Sequence, residues 1–194
     1  MAKLKPSTKS RITKLFKSDK ELPEIRKILK SEGVDVAIAQ IKTVLRKYLM
    51  KHCDHLWSHA VKLKAGNICI IDRKPCSLNS HHLRGRSNYK FRWDIDNGVC
   101  LGVYRHTMAS DMAAHGSTSA TEAFAEKMEE IRPEQWARFQ KNREDHEKIK
   151  VDVYYLLETA KRLEAEIKEI ENNPKVDILR RRKVEMVPQE RTDE

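Results

Sequence analysis

The chain has 194 residues and a formal net charge of +10, with 35% charged and only 6% aromatic residues. That length suits one ordinary domain with extensions and a modest core, and the positive field favours polyanionic partners. No apolar run approaches the ~20 residues of a membrane span. The start, Met-Ala-Lys-Leu-Lys-Pro, has no hydrophobic signal core, and four cysteines without disulfide spacing suit a reducing compartment, so a soluble cytoplasmic protein is expected.

The charge is uneven. Residues 1–51 hold fourteen Lys/Arg against five Asp/Glu, and a second basic run follows at Arg180–Lys183. Residues 1–20 are rich in Lys, Ser and Thr, and their start is expected to be mobile. A helix is predicted over 22–31, with Leu22, Ile25, Ile28 and Leu29 on one face and Gly33 ending it. Asp35 is positioned to cap the next helix, which carries Ile38, Ile41, Leu45 and Leu49 at helical spacing and can continue through Trp57, Val61 and Leu63. Gly66-Asn67 is a turn signal. Residues 68–72 and 98–101 are β-prone, with a long polar loop between them and a helix starting near Tyr104. A further helix is expected around 119–145, interrupted or restarted at Pro133.

The cleanest periodicity comes last. Ile149, Val153, Leu156, Ala160, Leu163, Ile167 and Ile170 form an a/d stripe over three heptads. It predicts a long helix over about 145–171, stopped by Asn172-Asn173-Pro174. The stripe packs either on an antiparallel helix of the same chain, the favoured reading, or on a homodimer or protein partner through 149–170. Four segments result: a basic amino-terminal arm with helices (1–53), a central unit (54–118), a carboxy-terminal helical region (119–173) and a basic, irregular tail (174–194).

The central unit carries the chemistry. His81-His82 is followed by Arg84, Arg86, Lys90 and Arg92-Trp93-Asp94, then by Asn97-Gly98 fifteen residues after His82, and by His106 nine residues further on. Imidazole is both a near-neutral proton acceptor and a frequent metal ligand. Asn97-Gly98 also fits a simple hairpin turn, since both residues tolerate positive φ. Trp93 reads as a packing anchor, and Cys53, Cys76 and Cys100 read as small buried hydrophobes.

This ordered set, with the lead-in Asp54–Lys62, resembles the HNH (ββα-metal) endonucleases, above all their bacteriophage and prophage members, over roughly residues 54–115. The resemblance implies an α+β, mostly α-helical chain with a small ββα-metal core, N-terminal helices and a C-terminal long helix or helical hairpin. It implies His81 and His106 as ligands of one divalent metal, His82 as the general base that activates water, and Asn97 as the brace of the loop. His115 is a further possible ligand. It stands nine residues past His106, half a turn out of phase on a continuous helix, so it can join only if the helix breaks. Gly116 looks like that helix's C-terminal cap.

The expected ion is Mg²⁺ or Mn²⁺, with Zn²⁺ or Ni²⁺ also suited to imidazole ligands. Arg84, Arg86 and Arg92 are expected to contact nucleic-acid phosphates, and DNA is the expected partner of the basic arm. Many of these relatives carry a zinc knuckle of two Cys-x-x-Cys pairs. Here those positions are Cys69/Asp72 and Gly102/Arg105, so no structural zinc is expected. Packing by Ile68, Ile70, Ile71, Val99 and Leu101 is expected to hold the hairpin instead. The expected activity is phosphodiester hydrolysis. The alternative is a non-catalytic nucleic-acid- or protein-binding module on a degenerate scaffold of this kind.

Overall fold

The computed structural model describes residues 4–74 and 76–173; the basic run at Arg180–Lys183 and Pro174 lie outside them. The described residues are mostly helical with one two-stranded antiparallel sheet, as the α+β reading expects. They divide into two compact units, one of residues 4–54 with 150–161, the other of 55–74 and 76–149 with 162–173.

In the first unit, α1 (Pro6–Lys17) starts with proline in its first turn, where the missing N–H costs nothing, and buries Ile12 and Leu15. The arm is thus helical from Pro6, because two apolar residues three apart give it a face to bury. α2 (Leu22–Ser31) has the predicted bounds; it buries Ile25 and Leu29 and ends before Gly33 at φ +79°. Arg11 on α1 pairs with Glu32 just past α2. α3 (Ile38–Lys64) runs the full predicted length. At its start the side chain of Gln40, not that of Asp35, accepts the Ala37 N–H, at 3.1 Å. Ile41, Leu45, Leu49 and Cys53 recur every fourth residue and are buried. The Cys53 thiol donates to the Leu156 carbonyl at 3.4 Å, and Arg46 Nε donates to the Val151 carbonyl at 2.7 Å.

The second unit opens with Trp57, Ala60 and Val61 of α3, all buried. Gly66 and Asn67 turn the chain with positive φ. Residues 68–72 form turns rather than a strand, touching the sheet through Ile70 N–H to the Cys100 carbonyl at 3.0 Å. The strands are β1 (Leu78–His82) and β2 (Gly98–Gly102), with Leu78 opposite Gly102, His81 opposite Val99 and His82 opposite Gly98. The histidine pair therefore sits on a strand, not in a loop.

Asn97-Gly98 is not the hairpin turn. A single 3-10 turn, Ile95–Asn97, leads into β2, and Gly98 has an ordinary extended φ of −118°. Glycine stands there because a Cβ would lie 2.4 Å from Val61 Cγ2 and 2.7 Å from Trp57 Cζ2. The long connection folds around Trp93, 1% exposed, as its packing role requires.

α4 (Thr118–Ile131) is capped by the Ser117 hydroxyl, which accepts the Ala120 N–H, and α5 (Pro133–Lys141) begins with Pro133. The last helix, α6 (Val153–Glu171), starts eight residues later than the stripe suggests. Residues 142–145 are instead held where Arg84 donates to the carbonyls of Asn142, Arg143 and Asp145. From Val153 the stripe is buried within the chain: Val153, Leu156, Ala160, Leu163 and Ile167 are all inside. No helix among the described residues is long and apolar enough to cross a membrane.

Candidate metal centre

Successive side chains on a strand leave it on opposite faces, and β1 uses that rule to give its two histidines different surroundings. His81 is 7% exposed. Its ring meets those of His115 at 4.7 Å and His106 at 5.3 Å between centroids, and Phe124 of α4 lies at 5.8 Å. His106 and His115 are 5.0 Å apart. One nitrogen from each ring lies within 4.8 Å of the others. Ligands sharing an ion at ~2.1 Å span at most ~4.2 Å, so the three imidazoles are grouped on the scale of one coordination shell.

His115 joins because the predicted helix stops after one wide turn. Tyr104–Met108 forms a single π-type turn. The chain then doubles back, so that His115 N–H donates to the His106 carbonyl at 2.9 Å and Ala114 N–H to that of Arg105 at 3.1 Å. Ala109 and Ala113 of this loop pack on Ala120. Gly116 ends no helix; it precedes Ser117, the cap of α4. Asn79 on β1 donates its amide to His106 Nδ1 at 3.4 Å.

Arg105 anchors the turn. Its Nε reaches Asp72 at 2.9 Å and its Nη1 reaches Asp111 at 2.8 Å, and the Cys69 thiol donates to Asp72. The positions where the resemblance would put a zinc knuckle thus carry a guanidinium–carboxylate pair. Cys100 is buried as expected, but Cys76 is exposed. Of the apolar residues expected to hold the hairpin, Ile70, Val99 and Leu101 are buried, while Ile68 and Ile71 are half-buried.

Burial, reinforced by His115, His106 and His82, pushes the His81 pKa down to about 3; burial and then His115 lower that of His106. Neutral imidazoles are what a cation needs as ligands, because protons compete for the same lone pairs. The shifts also carry a stability consequence. Unfolded, each histidine takes up a proton near pH 6.5. Folded His81 refuses it until about 3. The stability this represents is present above pH ~6.5 and is lost as pH falls toward the folded value. In chelator, unfolding free energy from urea titrations should drop between pH 7 and 5 by up to about 1.4 kcal/mol per unit for His81. The same titration on His81→Gln should be flatter; equal slopes would show that His81 accepts protons freely when folded.

On the other face of β1, His82 stacks on Trp57 at 3.6 Å between centroids, 11° from parallel. Its Nε2 lies 2.9 Å from the Arg92 carbonyl. A carbonyl only accepts, so Nε2 carries the proton and Nδ1 is the basic nitrogen. Asn97 is 7% exposed and ties the connection together: its amide donates to the carbonyls of Arg84 and Phe91, and its oxygen accepts the Arg84 N–H at 2.7 Å. Gln135 of α5 donates to the carbonyls of Asp96 and Gly98 at 2.8 and 2.9 Å, and Arg138 pairs with Asp94 and Asp96.

Of the three arginines singled out in the sequence, Arg84 turns its guanidinium inward to the carbonyls of 142, 143 and 145, and Arg92 lies over the rings of Tyr89 and Trp93 and donates to the Arg86 carbonyl. Sequence reasoning missed Asn79, Gln135 and the Asp72–Arg105 pair. Only Asp72 and Arg105 had a signal, as replacements at knuckle positions. A scan against family models and searches among curated proteins and solved structures return no match.

Proposed function

We propose that the chain is a metal-dependent DNA endonuclease of the HNH type, acting in the cytoplasm of a bacterial host and encoded by a phage or prophage. The observation that carries the reading is a cluster of three imidazoles with a fixed, stacked imidazole on the next residue of β1; the reading requires the end of β1 to bring both to one phosphate. His81, His106 and His115 would hold one divalent cation, Mg²⁺ or Mn²⁺ in the cell. Three protein ligands suit a catalytic rather than a closed structural site. When bound, such an ion neutralises charge building on a phosphodiester in displacement.

The remaining work belongs to protein groups. His82 takes a proton from water at Nδ1 while its Nε2–H donates to the Arg92 carbonyl, so the ring need not turn during the transfer. Trp57 holds the plane of that ring. Asn97 fixes the backbone that leads away from His82, through the Leu83 N–H bonded to its carbonyl and the Arg84 N–H bonded to its side chain. The excess of cationic residues draws in the DNA backbone.

Calorimetry with Mn²⁺ tests the centre directly. The wild type should bind one ion, and His106→Ala should weaken binding at least tenfold, the range seen when a metal site loses a supporting group. No heat with Mn²⁺, even with DNA present, would favour the non-catalytic binding module.

A further inference from the structure

Arg84 also helps to form a second feature. The connection after β1 and the segment 143–149 enclose an open cleft of about 690 Å³, lined among others by Arg84, Tyr89, Arg143, His146, Glu147 and Lys148. Its volume falls among the roughly 300–1,000 Å³ clefts that hold small organic ligands. Its walls are fixed by long-range bonds: Arg84 to the carbonyls of Asn142, Arg143 and Asp145, and the Asn88 amide to the Asp145 carbonyl at 2.9 Å. Lys90 pairs with both Asp145 at 2.7 Å and Glu147 at 2.5 Å, and the Arg84 guanidinium lies close enough to Asp145 to lower its pKa further, so two cations face the two acids. Arg143 and Lys148 have no side-chain hydrogen bond or ion pair among the described residues, and both line the cleft. One wall begins two residues past His82.

We propose that this cleft binds a single-stranded stretch of nucleic acid, one or two nucleotides long, beside the phosphodiester that His82 addresses. Arg143 and Lys148 take the phosphates, and the Tyr89 ring, with Arg92 over it, offers a base a stacking surface. Stacking on an aromatic ring needs a base free of its partner strand, which is why the occupant is single-stranded. The inference rests on the nuclease reading for its place beside the scissile bond, but not for the binding itself.

The test is fluorescence anisotropy with a short labelled single-stranded DNA in chelator, where no cleavage occurs. For single strands the slope of log affinity against log salt is about −0.7 per phosphate neutralised. Arg143→Ala with Lys148→Ala should therefore flatten the slope by about 1.4, and Tyr89→Leu should weaken binding about tenfold with the slope unchanged. Circular dichroism and Mn²⁺ calorimetry on the same variants check fold and centre. Wild-type slope and affinity in folded variants overturn the cleft and leave the nuclease reading standing. Equal losses for duplex and single strand overturn the single-strand assignment. Loss of Mn²⁺ binding in the wild type strikes the nuclease reading alone.

Discussion

His82→Ala should leave supercoiled plasmid intact under conditions of Mg²⁺ or Mn²⁺ in which the wild type nicks it. A positioned general base contributes about 10²–10⁴ in rate, so the variant should show no open-circular product over the time in which the wild type converts all its substrate. The site explains why the loss should be confined to chemistry. His82 stands opposite Gly98 and lies on the face of the strand away from the His81 cluster. Removing its ring uncovers Trp57 but deletes none of the three grouped imidazoles. Mn²⁺ binding by calorimetry should be unchanged, and that separates a missing base from a missing ion. Nicking by His82→Ala at the wild-type rate would refute the assignment of the base. A contaminating nuclease is excluded when the wild type loses activity in chelator and the variant preparation shows none.

Gly98→Ala should do damage out of proportion to one methyl group. The new Cβ would fall 2.4 Å from Val61 Cγ2 and 2.7 Å from Trp57 Cζ2, well inside contact distance. Both neighbours sit on α3 and are buried, so neither has a free rotamer to retreat into. Overpacking of this kind costs about 1–3 kcal/mol, read as a lower urea midpoint at unchanged slope. The chemical effect should exceed that. Trp57 is the plate on which His82 rests, and its indole N–H is bonded to the Asp94 carbonyl at 2.8 Å, so a shifted indole turns the imidazole away from the Arg92 carbonyl. Nicking should fall more than tenfold at temperatures where circular dichroism reports a folded chain. A variant that keeps full activity would mean that the plane of His82 is set by something other than Trp57.

Helices were legible wherever apolar residues recurred at three and four: α2 has the bounds read from the sequence, and α3 reaches Lys64 because Trp57 and Val61 continue its stripe. The sheet was half legible. Ile68–Asp72 looks like a strand because it is apolar, whereas β1 is Leu-Asn-Ser-His-His, a polar run held in place by β2. Strand propensity measures fit to a half-buried surface, and a strand rich in polar side chains departs from it. The start of α6 was misread for another reason. Ile149 keeps the heptad phase, but Arg84, some sixty residues earlier, binds the carbonyls just before it, and no local pattern records a bond of that span. The histidines themselves were legible by type and order. Bringing His115 to His106 depended on a turn that ends after five residues, which neither spacing nor propensity announces.

The doubled-back loop from His106 to His115 has its two ends tied by main-chain bonds and its middle held by Ala109 and Ala113 against Ala120. Thr107, Met108, Ser110 and Asp111 are exposed, and of these Asp111 is held by Arg105. Closing a longer loop costs only slightly more, growing with the logarithm of its length. A few residues inserted at Ser110, with Asp111 kept for Arg105, should therefore leave both imidazoles where they are. Ser110 is the natural place to attach a reporter dye or a linker without disturbing the histidine cluster.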